Sequence, residues 1–499
     1  MPAPFTVIRG GRLLDAPGHR AEPADILIVG GTIREIGPPG LAAPDGATVV
    51  DAAWKLLMPG LVNGHCHGHG ALAKGMAGDD WTLETFLNAG PGISGNRTEE
   101  DKFLCGLICG VEMVRKGVTA CYDLFFEFPS PSLEGMAAIG RGYDEVGVRA
   151  VIAPMIADFT LYQALPGLID VIPAALRPEV DRIRLAPTDA TLAACEAAFR
   201  AWPFPRERIR PAIAPTIPLH CSDDFMKGCR DLAREWDLPL QTHLAESKSQ
   251  AVLGLRKYGK SLTAHIDAMG LIGPSFSAAH GIWLEGTDLD RIAAGGGGVI
   301  HNPMSNMRVG SGLARIRPML DRKIPVGVAT DGVNTSDSLN MFEAQRLASF
   351  ISRVQDPDYR TWLRPEEVFA MATEGSARAM GWEGFIGKLA PGFAADIVLI
   401  DLKHIHYVPL ADITRQLVFS ESGAAVDSVM IGGRLVLDRG RLTTVDEERI
   451  RTRAEAAVER LRAANATARA FTAKLHDAVG LFCVGLCREA YPIQRFAGD

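Results

Sequence analysis

Much of what the 499-residue chain lacks bears on what it can be. No apolar run in it approaches the roughly 18 residues that cross a bilayer, so a membrane is not expected as a partner. Its 52 Lys and Arg form no cluster and are outnumbered by 59 Asp and Glu, for a net charge of −7. A phosphate-binding surface needs concentrated positive charge, so nucleic acid is not expected either. The first residues, MPAPFTVIRGGRLLD, lack the basic start and apolar core of a signal peptide, and a cytoplasmic location is expected. The nine cysteines are odd in number and scattered, which does not make a disulfide framework. Cys105 and Cys109, like Cys483 and Cys487, lie four apart, as buried thiols sharing a helix face would. The glycine run 295–298 lacks the Lys-Ser/Thr of a phosphate loop and reads as a tight helix-to-strand turn. What remains, 47% hydrophobic and 22% charged, is an ordinary globular composition, enough for several domains or one large barrel with appendages.

Two segments about 400 residues apart resemble each other: ILIVGGTIREIG (26–37) and VMIGGRLVLDRG (429–440) both read as strand, Gly-Gly turn, strand. With a strand at 395–401, they predict that residues 1–57 and 388–445 are two halves of one small β-domain, a composite β-sandwich. Between them, 58–387 alternates short apolar runs with helical patterns. Strand candidates are 57–65, 117–123, 149–153, 209–214, 239–243, 276–280, 297–301 and 325–331. Thr98, with Glu99, Glu100 and Asp101 behind it, marks a helix start whose end falls near Lys116-Gly117. Eight strands with intervening helices suggest an α/β fold, a (β/α)8 TIM barrel. Residues 446–499 form a C-terminal helical extension, suited to capping the barrel or to an oligomer interface. A homo-oligomer, dimer or tetramer, is expected. The last twenty residues carry no assignment.

Only twelve histidines are present, yet three stand in the five residues His65–His69 of VNGHCHGHG. Side chains at i and i+2 of a strand point to one side, so His65 and His67 can both face a barrel mouth. His69 lies past Gly68 and reads as a loop histidine. Three other apolar strands stop at a His or Asp: LQTHLAE at His243, AAHG at His280 and VGVATDG at Asp331. In a parallel barrel such ends converge on the face that carries the chemistry. Neutral imidazoles with a carboxylate suit one divalent cation, Zn²⁺ first and Fe²⁺ second, with a position left for water.

The motifs MPGLVNGHCH (58–67), THLAES (242–247), AAHGIWL (278–284), HNPMSNMRVGSGLARI (301–316) and TDGVNTSDSLNMFEAQR (330–346), with GKLAPGFAADIVLID (387–401), resemble the amidohydrolase superfamily. The resemblance is to its branch of cytosine, guanine and S-adenosylhomocysteine deaminases and triazine hydrolases, and it runs from about residue 5 to 445. It implies a distorted barrel with a small composite β-domain and one metal held by His65, His67, His243 and Asp331. Asp331 would also accept a proton from the attacking water. His280 would bond that water or polarise the electrophile. Glu246 would carry a proton to a ring nitrogen and then to the departing amine, which leaves poorly without one. A binuclear site is not expected: relatives that have one bridge their metals with a lysine on the fourth strand, and 181–226 holds no lysine. The zinc deaminases built on P-C-x-x-C are excluded, because that motif is absent.

Two departures fall where substrates are recognised. Thr216, in APTIPLHCS, stands where many nucleoside deaminases of the branch carry a histidine; His220 is four residues on. The loop GMAGDDWTLETFLNAGPGISGNRTEE lacks the usual W-P-x-E close. Trp81, Thr216, His220 and Asn306 are the candidate substrate contacts, Trp81 being equally readable as a packed core residue. The expected activity is hydrolytic removal of an amino group from a small-molecule nitrogen heterocycle. The alternatives are hydrolysis of another C–N, amide or carbamate-type or C–halogen bond and, more remotely, a non-catalytic scaffold barrel.

Overall fold

The computed structural model describes residues 5–496. Strands from both ends of the chain share one nine-stranded sheet. Phe5–Asp15, Arg20–Val29 and Thr32–Gly37 form an antiparallel meander, and Lys55–Pro59 lies parallel to the first of them. Its far edge takes Ile397–Asp401, then Val426–Ile431 and Arg434–Asp438, all antiparallel. The two Gly-Gly turns have positive φ at both glycines, 58° and 87° at Gly30-Gly31, 55° and 78° at Gly432-Gly433. That is the geometry of a two-residue hairpin turn whose twist matches its strands. The turns also touch each other: a Cβ on Gly31 would lie 2.6 Å from the Gly432 carbonyl oxygen.

The sequence pattern at 57–65 suggests one strand, but the structure divides it. Lys55–Pro59 belongs to the nine-stranded sheet, and the first barrel strand is Leu61–His67, a junction that falls at Gly60. The barrel continues with Val118–Phe125, Arg149–Ile156, a fourth strand in two pieces (Ile209–Pro211 and Ala214–Pro215), Leu240–Leu244, Phe276–His280 and Gly298–His301. The eighth is also in two pieces, Val326–Val328 and Asp331–Gly332. All pair in parallel. Ile213 bridges the fourth strand to the fifth at Leu240, and the eighth closes the ring: Val328 pairs with His301 and Asp331 with Cys66. At that closing seam Asn63 and Thr330 exchange two hydrogen bonds, of 2.8 and 3.1 Å. Strands two and three are buried nearly end to end, as the near-continuous apolar runs of a parallel barrel require.

Helix Glu99–Arg115 starts at Thr98 in a full capping box with Asp101. The glycine run 295–298 closes helix Gly286–Gly295 and opens the seventh strand. The extension makes two helices, Glu447–Ala464 and Ala466–Cys487. By length and composition alone the second is long and apolar enough to cross a membrane, although no uninterrupted apolar run in it approaches that length. Arg469, Lys474 and Asp477 interrupt the run in sequence, but the helix keeps an apolar stripe at three- and four-residue spacing. That stripe, Thr472, Leu475, Val479, Cys483 and Leu486, is buried, and the helix packs on Leu83–Ser94 and Lys248–Tyr258.

Candidate metal centre

The ends of strands one, five, six and eight bring His65, His67, His243, His280 and Asp331 together. Ligand atoms of His65, His67 and His243 lie within 4.8 Å of one another, as do those of His65, His280 and Asp331. Asp331 Oδ1 is 3.3 Å from His65 Nε2 and 3.1 Å from His67 Nε2, and His243 Nε2 is 3.2 Å from His67 Nε2.

The opposite edge of each ring explains the orientation. His65 Nδ1 lies 2.6 Å from Gln241 Oε1, His67 Nδ1 2.9 Å from the Leu124 carbonyl oxygen, His243 Nδ1 2.6 Å from that of Thr216, and His280 Nδ1 2.8 Å from Asn306 Oδ1. All four partners accept, so each ring donates at Nδ1 and turns a bare Nε2 lone pair inward. Converging lone pairs beside a carboxylate repel one another until a cation joins them. An acceptor on the far edge of the ring is the usual support of metal-bound histidine. Among the described residues, Nε2 of His65 and of His280 are buried with no hydrogen-bond partner, and the donor set of imidazoles and one carboxylate fits a divalent cation of the Zn²⁺ type.

Burial pushes His65 and His243 below the usual imidazole range, with neighbouring histidines adding to the effect on His243. Burial works against His67 too, but its contact with Asp331 outweighs that and raises it. Asp331 is held well below the usual carboxylate range although burial opposes this, because the His65 and His67 rings packed against it favour the charged form. Ala245, His280 and Asp331 adopt left-handed φ of 50°, 70° and 66°. Such backbone is strained for residues with a Cβ and gathers at functional sites. Gly68 is glycine for a steric reason: a Cβ there would lie 2.4 Å from Asp123 Oδ2 and 2.5 Å from the Tyr143 hydroxyl.

Beside the cluster is a buried acid–base pair. Glu246 Oε2 lies 3.6 Å from His280 Nε2, and His280 Nε2 lies 3.9 Å from Asp331 Oδ2. Burial, then the charges of Asp331 and Glu84, raise the Glu246 carboxyl well above its usual range. Burial lowers His280 to about 4. A carboxyl that keeps its proton beside an imidazole that stays neutral is a proton donor placed against an acceptor.

The remaining candidates fall elsewhere. Thr216 reaches the cluster through its carbonyl, on the His243 ring. Asn306 acts on His280. The Trp81 ring faces His476 of the C-terminal helix at 6.2 Å. His220 is buried in the turn after the fourth strand, lowered to about 4 by burial. His69 lies with its ring 5.5 Å from that of His67, outside both groups of candidate ligands. Sequence reasoning missed Gln241, although it precedes His243 by two and so shares its strand face. It also missed Glu84, a buried carboxyl that accepts a 2.7 Å hydrogen bond from Ser247 Oγ; no motif marks it.

Among known proteins, the chain is similar to the 5'-deoxyadenosine deaminase of Methanothermobacter thermautotrophicus, 33% identical over 91% of this chain and 98% of that one. It is 28% identical to the 5-methylthioadenosine/S-adenosylhomocysteine deaminase of Pyrococcus abyssi, over 89% and 96%. A crystal structure of a Xanthomonas campestris adenosine deaminase with bound zinc superposes with TM-score 0.81 at 25% identity, covering 93% of this chain and all of that one. Zinc-bound atrazine chlorohydrolase TrzN of Arthrobacter aurescens shares the fold, with TM-score 0.79 at 24% identity over 91% and 100%. The model of the amidohydrolase family matches residues 56–436, and with the ligand-bearing strand ends described above, the chain belongs to that family.

Proposed function

We propose that the chain is a zinc-dependent aminohydrolase that replaces the 6-amino group of a 5'-deoxygenated or 5'-substituted adenosine, releasing ammonia. The supporting observation is the joint placement of four inward Nε2 atoms, Asp331 and the buried Glu246 carboxyl in one site. The 5'-modified nucleoside comes from the names of the relatives. Such an enzyme acts on carbon–nitrogen bonds other than peptide bonds.

His65, His67, His243 and Asp331 would hold the metal, which would supply Lewis acidity, lowering the pKa of a water from above 15 to about 7. Asp331 Oδ2, facing His280, accepts a proton from the attacking water, and His280, fixed by Asn306, hydrogen-bonds that water through Nε2. Glu246 gives its proton to the ring nitrogen next to the amino-bearing carbon; of the two protons shed by the attacking water, one passes by way of Glu246 to the amine as it leaves as ammonia, and the other restores the Glu246 carboxyl. Burial of Glu246 and His280 keeps bulk water from competing for those protons.

The test is ammonia release by zinc-loaded protein from 5'-deoxyadenosine, methylthioadenosine, S-adenosylhomocysteine and adenosine, with aminated pyrimidines, pterins and triazines alongside. Ammonia from the 5'-modified adenosines, absent with Glu246→Gln, supports the reading. No ammonia from any of them, with metal bound, sinks it in favour of amide, carbamate or other leaving groups.

A further inference from the structure

We propose that the C-terminal segment from Ala466 to Phe496 is a positioning device for Glu246 and His280, with Arg495 its decisive residue. The inference rests on the acid–base roles assigned to that pair above. It concerns a stretch beyond residue 436, where the family match ends.

The last described residues lie over the loop that follows His280. Arg495 donates from Nε to the Ile282 carbonyl oxygen at 2.9 Å and from Nη2 to that of Leu284 at 3.0 Å, and its own carbonyl accepts from Leu313 N at 2.8 Å. One guanidinium thus holds two carbonyls of the loop leaving the sixth strand. A planar fork does this with two donors in fixed relation, and a lysine ammonium does not. Between the two gripped residues stands Trp283, fully buried, with Phe496 and Tyr491 edge-on to its ring at 5.1 and 6.0 Å.

From there a short chain of bonds reaches the pair. Trp283 Nε1 donates to the Ser311 carbonyl oxygen at 2.8 Å, Ser311 N donates to that of Asn306 at 2.8 Å, and Asn306 Oδ1 meets His280 Nδ1 at 2.8 Å. On the other side, Trp283 N donates to the Ala245 carbonyl oxygen at 2.9 Å and Gly281 N to that of Leu244 at 3.2 Å, next to Glu246. The loop that Arg495 grips therefore ties both residues of the pair.

The same segment braces the Glu246 side a second time. Ser249, three residues after Glu246, donates to the Cys483 carbonyl oxygen at 3.4 Å, and Arg256 of the same helix pairs with Glu489. Helix Leu83–Ser94, whose Glu84 accepts from Ser247, is held to the C-terminal helix by Asn88 Nδ2 on the Thr472 carbonyl oxygen at 3.0 Å. None of these contacts is made by the side chain of His65, His67, His243 or Asp331, so loosening them moves the acid–base pair and leaves the metal in place.

The test uses full-length zinc-loaded protein carrying Arg495→Ala or Arg495→Lys. Expected are unchanged zinc content and amide hydrogen exchange faster by about tenfold or more in peptides covering 281–284 and 306–313, with the other barrel strands unaltered. With a turned-over substrate, kcat falls roughly 10- to 100-fold while KM changes little. Arg495→Lys recovers only part of the loss, and millimolar guanidinium restores some activity to Arg495→Ala. Unchanged exchange in those two peptides overturns the inference, and so does a uniform rise across the barrel, which would make Arg495 a general stabiliser. Exchange needs no substrate, so a protein that deaminates nothing still decides the positioning role. If the alanine variant misfolds, Arg495→Lys and Phe496→Ala give the same readings.

Discussion

The floor of the site and its rim are held in different ways. On the floor, each imidazole stands at a strand end with its outer nitrogen bound by a neighbouring element: Gln241, the Leu124 and Thr216 carbonyls, and Asn306. Rotamer and tautomer are fixed before any metal or substrate arrives. On the rim, helix Leu83–Ser94 and the loop before it are held to the C-terminal segment, 384 residues away in the case of the Asn88 amide and the Thr472 carbonyl. A floor built from strand ends keeps one chemistry. A rim built from loops and an appended segment is free to change its ligand.

The comparison breaks most visibly if a floor residue proves dispensable. Asp331→Ala removes the one carboxylate of the cluster and leaves buried imidazoles facing one another. Zinc content by elemental analysis should fall from about one per chain to near zero, with activity lost alongside. A variant that keeps its metal and turns over would show that the ligands lie elsewhere.

Glu246→Gln should keep zinc and lose roughly 10²- to 10⁴-fold in kcat, the range for removing a general acid–base group. It also carries a pH signature in metal-free protein. Glu246 binds its proton more tightly folded than unfolded, so stability falls as pH rises through the range between the two values. The native carboxyl stays protonated there while the unfolded one ionises. The Gln variant has no such loss. Its melting temperature relative to wild type should therefore rise as the pH climbs from the ordinary carboxyl value, about 4.3, through the range above it. A constant difference across that range would mean that Glu246 is not held protonated.

Gln241→Leu sharpens the comparison from the second layer. It leaves all four ligands in place but removes the acceptor on His65 Nδ1. Zinc affinity by competition with a chelator should weaken about 10- to 100-fold, with kcat of the fully loaded enzyme less affected.

The floor was more legible in the sequence than the rim, for a physical reason. A ligand at a strand end is announced by the strand itself: an apolar run stops, a His or Asp stands at the stop, and the two-residue period says which way it points. His65, His67, His243, His280 and Asp331 all carried that sign, and the structure brings them together. Rim residues carry no period. Trp81 faces His476 through a contact spanning 395 positions, which no local pattern encodes. Asn306 stood within a quoted motif, but its partner, the His280 ring, depends on how the sixth and seventh strands align. Of the helix Ala466–Cys487, the charged first part carries a legible helical pattern, and the final stretch up to Cys487 falls among the last twenty residues, which carried no assignment.

Thr216 marks the border between floor and rim, and its substitution should have the smallest effect. Where the resemblance implies a histidine in many nucleoside deaminases of the branch, this chain uses the backbone of Thr216, whose carbonyl takes hydrogen bonds from His243 Nδ1 at 2.6 Å and Thr242 Oγ1 at 3.3 Å. Both survive a change of side chain. Thr216→Val should leave zinc content unaltered and move KM by no more than about threefold, less than 1 kcal/mol. Thr216→His should be equally silent toward the metal while altering the preference among nucleosides. If Thr216→Val instead loses metal, the side chain takes part in holding the fourth-strand end, and floor and rim are not separable at this residue. If it abolishes turnover with metal retained, the hydroxyl itself binds substrate and the rim reaches deeper than the backbone bonds indicate.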